Sequence, residues 1–395
     1  MSANMLLTFN PGSSSVKIGL FAIGDNGPVQ VSRGVIDFRH DPLTFKVTGE
    51  HGSSTVALRA RPSEDLTEIM AETFAVLGQH VAIGDVAAIG HRVVHGGDRF
   101  AGPVRLDDAT IAAIEALTPL APLHQPQSLR LIRAIRNVRP DLPQTASFDT
   151  AFHRTNSAVV RRFAIPRALH DEGVKRYGFH GLSYDYIAGE LARLAPQRAR
   201  GKIVAAHLGS GASLCAIEDG ESRDTSMGFS TLDGVPMATR CGALDPGVLL
   251  HLLGAGGRSL PEVEDMLYHQ SGLLGVSGLS SDSRELIVST APEAREAMEL
   301  FAFRIAGEAA RLAATMGGLD GLVFSAGIGE NQPQVRADVC ERLRWLGVDL
   351  DPAANAVNAT TISHAASRVA VFVIPTDEEM IIARDNHSVL AGVTA

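Results

Sequence analysis

Two stretches far apart in the chain share one plan. LLTFNPGSSSVKIGLF, Leu6 to Phe21, laid over IVAAHLGSGASLCAIE, Ile203 to Glu218, brings Asn10 onto His207, Gly12 onto Gly209 and Ser13 onto Ser210, with apolar strand residues on both sides. A duplicated strand–turn–strand unit constrains the fold strongly, because each copy needs its own sheet and core. A length of 395 residues with 45% hydrophobic content also exceeds one ordinary core. Two related domains are therefore expected.

The segments around the first copy read as a mixed α/β domain. MLLTF, VKIGLFAI and VSRGVIDF suggest a three-stranded meander, bounded by Gly and Asn or Asp. LTEIMAETFAVLGQH and DDATIAAIEAL carry apolar residues at steps of three and four, with the strand-like VAAIGHRVV between them. After the second copy come three helical patterns. DPGVLLHLL has Asp245 as a cap before Pro246, SLPEVEDMLYHQSG opens on a Ser259–Glu262 capping box, and APEAREAMELFAFRIAGEAARLAATMGG stops at Gly317 and Gly318.

A third glycine-rich stretch, GLVFSAGIGENQP, runs from a strand into a loop and then a helix, VRADVCERLRWLG. Glycine lets backbone N–H groups approach a ligand, and a helix start favours an anion. The stretch is neither GxxxxGK[ST] nor GxGxxG. Three such turns at strand ends together suit a polyphosphate.

Basic and histidine side chains gather at other strand ends. HRVVHGGDRF holds His91, Arg92, His95 and Arg99, APLHQP holds His124, SFDTAFH holds Asp149, YGFHG holds His180 and MATRCGALDPG holds Arg240. Arginine and histidine beside Gly or Pro turns suit an anionic transition state. The net charge of −9 and the lack of a long basic run argue against nucleic acid or an anionic membrane as partner. Three scattered cysteines, Cys215, Cys241 and Cys340, fit a reducing compartment, and no segment is long enough to span a bilayer. A soluble, cytoplasmic protein is expected.

FNPGSSSVK, HRVVHGG, APLH, FDTAFH, YGFHG, HLGSG, the TR of MATRCGALDPG, GIGEN and IPTDEE, in this order, closely resemble the acetate kinase family over nearly the whole chain. The resemblance implies two duplicated ribonuclease H-like α/β domains of the actin and hexokinase kind, with a nucleotide cleft between them. It implies a first domain over 1–150, completed by a C-terminal helix at about 377–395, and a nucleotide-binding and dimerisation domain over 151–376. The implied reaction is reversible phosphorylation of acetate by ATP, giving acetyl phosphate and ADP, in a homodimer.

Carried over residue by residue, the resemblance implies that Asn10 and Glu378 bind Mg²⁺, with Mn²⁺ as a substitute. Lys17, His207, Leu208, Gly209, Ser210, Gly211, Asp282, Ser283, Arg284, Gly327, Ile328, Gly329, Glu330 and Asn331 would serve ATP. Arg92 would contact the substrate carboxylate, His180 and Arg240 the transferring phosphoryl group, and Asp149 matches the family's acid. Val94, Leu123, Phe179 and Thr231 match the acyl pocket, His124 supporting them. Propionate or butyrate is the alternative acceptor, since one methylene is worth only about 1–3 kcal/mol in such a pocket.

Three points follow from the residues themselves. Arg92 and Arg240 can each clamp an oxyanion with two parallel hydrogen bonds. Thr376 as N-cap with Glu379 three residues on would form a capping box, leaving Glu378 for the metal. A carboxylate acceptor is ionised at neutral pH, so Asp149 is expected to orient the site more than to move a proton. The chain departs from the family pattern at Ser210, where Asn is more usual, at Thr231, where Pro is common, and at Asp377, where Asn is usual.

Overall fold

A computed structural model describes residues 5–12, 15–50, 52–61, 65–80 and 83–392. The chain divides into two compact units, Met1–Phe152 with Asp377–Ala395, and His153–Thr376. No helix among the described residues is long and apolar enough to cross a membrane.

The first unit carries eight strands: β1 (Met5–Pro11), β2 (Ser15–Gly24), β3 (Gly27–Asp37), β4 (Thr44–Gly49), β5 (Gly52–Ala57), β6 (Val86–Val93), β7 (Val104–Arg105) and β8 (Gln144–Phe148). They lie in the order β5-β4-β3-β2-β1-β6-β8-β7. β1 runs antiparallel to β2 and parallel to β6, which is parallel to β8. The expected three-stranded meander continues through β4 and β5.

β1 is buried along nearly its whole length because both of its faces are covered. Leu7 and Phe9 join the larger core, with Ile69, Met70 and Phe74 of helix Thr67–His80 and Leu131 and Ile135 of helix Gln125–Val138. Leu6 points the other way, to Phe21, Ala88 and Ala383. Ala383 belongs to helix Glu378–Leu390, so the last helix of the chain seals the face of the first sheet. Gly90 permits that seating: a Cβ there would lie 2.7 Å from Ile382 Cγ2.

The second unit carries β9 (Lys202–Leu208), β10 (Ala212–Glu218), β11 (Glu221–Thr225), β12 (Gly321–Ser325) and β13 (Ala370–Val373), in the order β11-β10-β9-β12-β13. β9 is antiparallel to β10, β10 to β11, and β12 is parallel to both β9 and β13. In the first unit β3-β2-β1-β6-β8 has the same order and the same directions, so the duplication is one of topology as well as sequence. The caps form as the residues dictate: Asp245 accepts from Gly247 N, Ser259 and Glu262 make a reciprocal box, and Gly317 ends helix Pro292–Met316 at φ 69°. That helix buries Ala294, Ala297, Phe301, Ile305, Ala309 and Leu312, so the alanine-rich pattern is a core face.

Three buried histidines tie stability to pH. His91 reaches Gln144 Oε1 at 2.7 Å, His95 Nδ1 accepts from Gly97 N at 2.9 Å, and His153 Nε2 lies 2.9 Å from Phe179 O. Burial pulls all three down to about 4 from 6.5. The unfolded chain takes up their protons first as pH falls below 6.5, so stability is full above that value and declines toward pH 4. We expect a loss of about 2 kcal/mol per histidine by pH 5. Thermal unfolding followed by circular dichroism at pH 7.5 and pH 5 checks this; an unchanged Tm would contradict it.

Candidate active site

The parallel strands of the first unit end together and set one cluster of side chains. Asn10 lies at the end of β1, Arg92 near the end of β6 and Asp149 directly after β8, while Glu378 and Glu379 open the last helix. Arg92 Nε donates to Asp149 Oδ1 at 2.9 Å and Nη2 to Oδ2 at 2.5 Å. Its Nη1 donates to Asn10 Oδ1 at 3.2 Å and to Pro11 O at 3.0 Å. The Asn10 amide in turn donates to Glu378 Oε2 and to Glu379 Oε1, each at 2.8 Å. One branched hydrogen-bond network thus joins five side chains and the Pro11 carbonyl.

The electrostatics follow from burial and sign. Asp149 is only 1% exposed, and its counter-charge is the Arg92 fork. Burial works against the Arg92 charge, but Asp149, Glu378 and Glu379 outweigh it and hold the guanidinium above its ordinary value. Glu379 is raised from the usual carboxylate range, first by burial and then by Glu378, with Lys17 and Asn10 pulling the other way. Asp149 is thus paired with Arg92, while Glu378 and Glu379 share the Asn10 amide.

Two expectations need correction. The Arg92 fork is spent on Asp149, so it does not offer two parallel bonds to a substrate; four of its N–H groups serve Asp149, Asn10 and Pro11. The N-cap of the last helix is Asp377, which accepts from Met380 N at 2.9 Å. The Asp377 carboxylate takes the cap one residue later than Thr376, so Glu379 completes no capping box and turns to Asn10 instead. Thr376 N donates to Glu330 Oε1 at 3.2 Å and its hydroxyl to Ser183 Oγ at 2.9 Å.

Lys17 stands across from Asn10 in the β1–β2 register. Gly12 N closes the turn on Ser15 O at 2.7 Å; Ser13 and Ser14 lie outside the described residues. Val94 is buried, Leu123 is exposed, and His124 precedes helix Gln125–Val138 without a side-chain cap bond.

In the second unit the turn from β9 to β10 carries His207, Leu208, Gly209, Ser210 and Gly211. The register pairs His207 with Ser213 and Leu208 with Ala212, against Asn10 with Lys17 and Pro11 with Val16 in the first unit. The first turn is one residue longer, so Ser213, not Leu214, stands where Lys17 does. His180 precedes helix Gly181–Leu194 at φ 57°, a left-handed conformation uncommon outside glycine. A Cβ at Gly211 would lie 3.5 Å from His180 Nε2 and 3.7 Å from Arg240 Nη1. An imidazole and a guanidinium therefore converge on Gly211, a residue with no side chain of its own. Arg240 Nη1 also donates to Thr231 O at 3.2 Å, and Phe179 is buried.

The remaining nucleotide-assigned residues lie on two short helices, one of which starts beside this turn. A Cβ at Gly209 would come 3.7 Å from the Ala326 Cβ. Ala326, at φ 61°, turns the chain directly into helix Ala326–Asn331, so Gly327, Ile328, Gly329, Glu330 and Asn331 form a short helix and not the open loop expected. Asp282 caps helix Ser283–Val288 and is gripped by Arg284 Nε and Nη2 at 3.0 and 2.6 Å. Gln332 Nε2 donates to Ser283 Oγ at 2.6 Å, tying that cap to the short helix.

Arg336, Ser183, Ser213 and Tyr184 escaped the sequence reading. Arg336 is fully buried and donates to Gly329 O at 2.8 Å, Glu330 O at 3.0 Å and Asn355 Oδ1 at 2.7 Å. It satisfies the carbonyl end of the short helix from below. A signal existed: Val335, Arg336, Val339 and Cys340 share the buried face of helix Pro333–Arg342.

The model of the acetokinase family matches residues 5–384. The acetate kinase of Rhodopseudomonas palustris is 47% identical over 388 residues, covering 97% of each chain. The crystal structure of Porphyromonas gingivalis acetate kinase aligns with a TM-score of 0.89 at 35% identity, covering 98% of this chain and all of that one. A propionate kinase from Francisella tularensis aligns with the same TM-score, identity and coverage.

Proposed function

The chain belongs to the acetokinase family, and on that premise we propose that it is an acetate kinase, transferring the ATP γ-phosphoryl group to acetate reversibly by direct in-line displacement. The observation that carries this reading is the convergence of His180 Nε2 and Arg240 Nη1 on Gly211. Phosphoryl transfer asks a protein for positioning and for positive charge on the equatorial oxygens. Arg240 supplies the charge and His180 an N–H donor, and Gly211, with no side chain, leaves room for the phosphate.

The other roles divide between the units. His207 to Gly211, Asp282 to Arg284 and Gly327 to Asn331 serve the nucleotide, and Lys17 its phosphates. Arg92 draws in the acceptor carboxylate by charge and its remaining Nη2–H, while Asp149 fixes the guanidinium. Val94, Leu123, Phe179 and Thr231 bound the acyl group, His124 supporting them. Asn10 and Glu378 would hold Mg²⁺, with Mn²⁺ as a substitute. The donors fit: they are hard oxygens, and the Asn10 carbonyl keeps one lone pair beyond Arg92. Glu379, on the same amide, adds a second carboxylate. When bound, the ion neutralises charge on the phosphate oxygens.

A homodimer through the second unit is supported by helix Pro246–Leu253, which buries none of its residues and leaves Leu250 74% exposed. A cytoplasmic location fits three free cysteines. The test is a hydroxamate assay with ATP, Mg²⁺ and acetate, propionate or butyrate, run on fractions from a sizing column. We expect activity at twice the mass of one chain, with kcat/KM for propionate roughly 10- to 200-fold below acetate. No acyl phosphate from any acid would sink the enzyme reading, and a preference for propionate would transfer it to the neighbouring activity.

A further inference from the structure

Two serines behind the β9–β10 turn have no role in the reading above. Ser213 Oγ lies 2.8 Å from His180 Nδ1 and 2.6 Å from the Tyr184 hydroxyl. Ser183 Oγ lies 2.8 Å from His207 Nδ1 and accepts from Thr376 Oγ1 at 2.9 Å. The two imidazoles stack with centroids 4.3 Å apart and planes at 19°. Their Nε2 atoms face the turn: a Cβ at Gly211 would be 3.5 Å from that of His180, and one at Gly209 3.8 Å from that of His207.

The direction of each hydrogen-bond chain can be worked out. Tyr184 OH has Ser213 Oγ 2.6 Å away as the acceptor for its proton. Ser213, already accepting, has its proton for His180 Nδ1. Ser183 accepts from Thr376 and likewise donates to His207 Nδ1. Each ring then keeps its proton on Nε2. Stacking at this distance also suits neutral rings, since two imidazolium charges would repel.

We propose that Ser213 and Ser183 are positioning residues that lock His180 and His207 as Nε2–H tautomers, presenting paired N–H donors along Gly209–Gly211 to phosphate oxygens. Adjacent residues of helix Gly181–Leu194 anchor the two chains, Ser183 under His207 and Tyr184 under Ser213. The proposal rests on the phosphoryl-transfer reading for its purpose, though not for its geometry.

Long-range ¹H–¹⁵N correlation spectra of the full-length protein with ¹⁵N-labelled histidine test it, assigned with His180→Gln and His207→Gln. Both rings should carry the proton on Nε2 and none on Nδ1 at neutral pH. Ser213→Ala should mix the His180 tautomers and lower kcat about tenfold through lost orientation, with KM for ATP within about twofold. Tyr184→Phe, which frees Ser213 to turn round, should populate the Nδ1–H form of His180. An Nδ1–H or doubly protonated ring in the unmodified protein, or Ser213→Ala with unchanged kcat, overturns the proposal. Should Ser213→Ala fail to fold, the unmodified protein and Tyr184→Phe decide it. Absence of acyl phosphate in the unmodified protein would defeat the functional reading alone, because the tautomers are read without substrate.

Discussion

Arg240→Lys is expected to lower kcat by about three orders of magnitude while leaving KM for acetate and ATP within a few-fold. The reason lies in when the charge is needed. As the phosphoryl group leaves ADP, negative charge spreads over its equatorial oxygens, and a guanidinium placed there stabilises the transition state more than the bound substrates. Arg240 is suited to this because Nη1 is steadied by Thr231 O at 3.2 Å and sits beside Gly211. Lysine keeps the charge but cannot bond Thr231 and a phosphoryl oxygen from one rigid plane. Initial-rate kinetics in both substrates, with a Tm to exclude misfolding, check the expectation. A raised KM with unchanged kcat would make Arg240 a ground-state binder.

Arg92→Ala is expected to fail on stability as well as on rate. Asp149 is buried with both oxygens accepting from Arg92, and Asn10 Oδ1 and Pro11 O lose a donor at the same stroke. Removing one partner of a buried ion pair costs about 3–5 kcal/mol. Denaturant unfolding of Arg92→Ala, Asp149→Ala and the double variant measures the coupling, and the double variant should recover part of the loss. A simple sum of the single losses would mean that the pair is not coupled. Asp149→Asn, in the same series, separates orientation from proton transfer. An orienting Asp149 predicts a fall in kcat/KM of about a hundredfold with no new limb in the pH profile. A shifted profile would give Asp149 a proton to carry.

The duplicated plan was legible because topology is written in the strand patterns on both sides of each turn. The position of Ser213 was not, since an ungapped overlay slips by one residue where the first turn is longer. Strand ends carrying Arg92, Asp149 and Asn10 could be read as chemistry, yet what the Arg92 fork holds depends on a carboxylate fifty-seven residues further on, near in space only after folding. The cap of the last helix was misread by one position because Thr376 and Asp377 both qualify from sequence. Tertiary bonds from Thr376 to Glu330 and Ser183 decide between them. Arg336 was hidden by the usual expectation that arginine is solvated, although its helical neighbours Val335 and Val339 are buried.

The seal on the first sheet has a consequence for how the molecule comes into being. Helix Glu378–Leu390 is synthesised after the whole of the second unit, yet Ile381 and Ile382 are buried in the unit that was begun first. On the ribosome, the second unit has its whole sequence available while the first still lacks one wall. Each buried isoleucine that has not arrived leaves a deficit of about 2–5 kcal/mol. The first sheet therefore gains its full stability only once those residues are in place. Glu378 and Glu379 reach Asn10 with that same helix, so a chain cut before Glu378 would lose those carboxylates and the cover of its first sheet together.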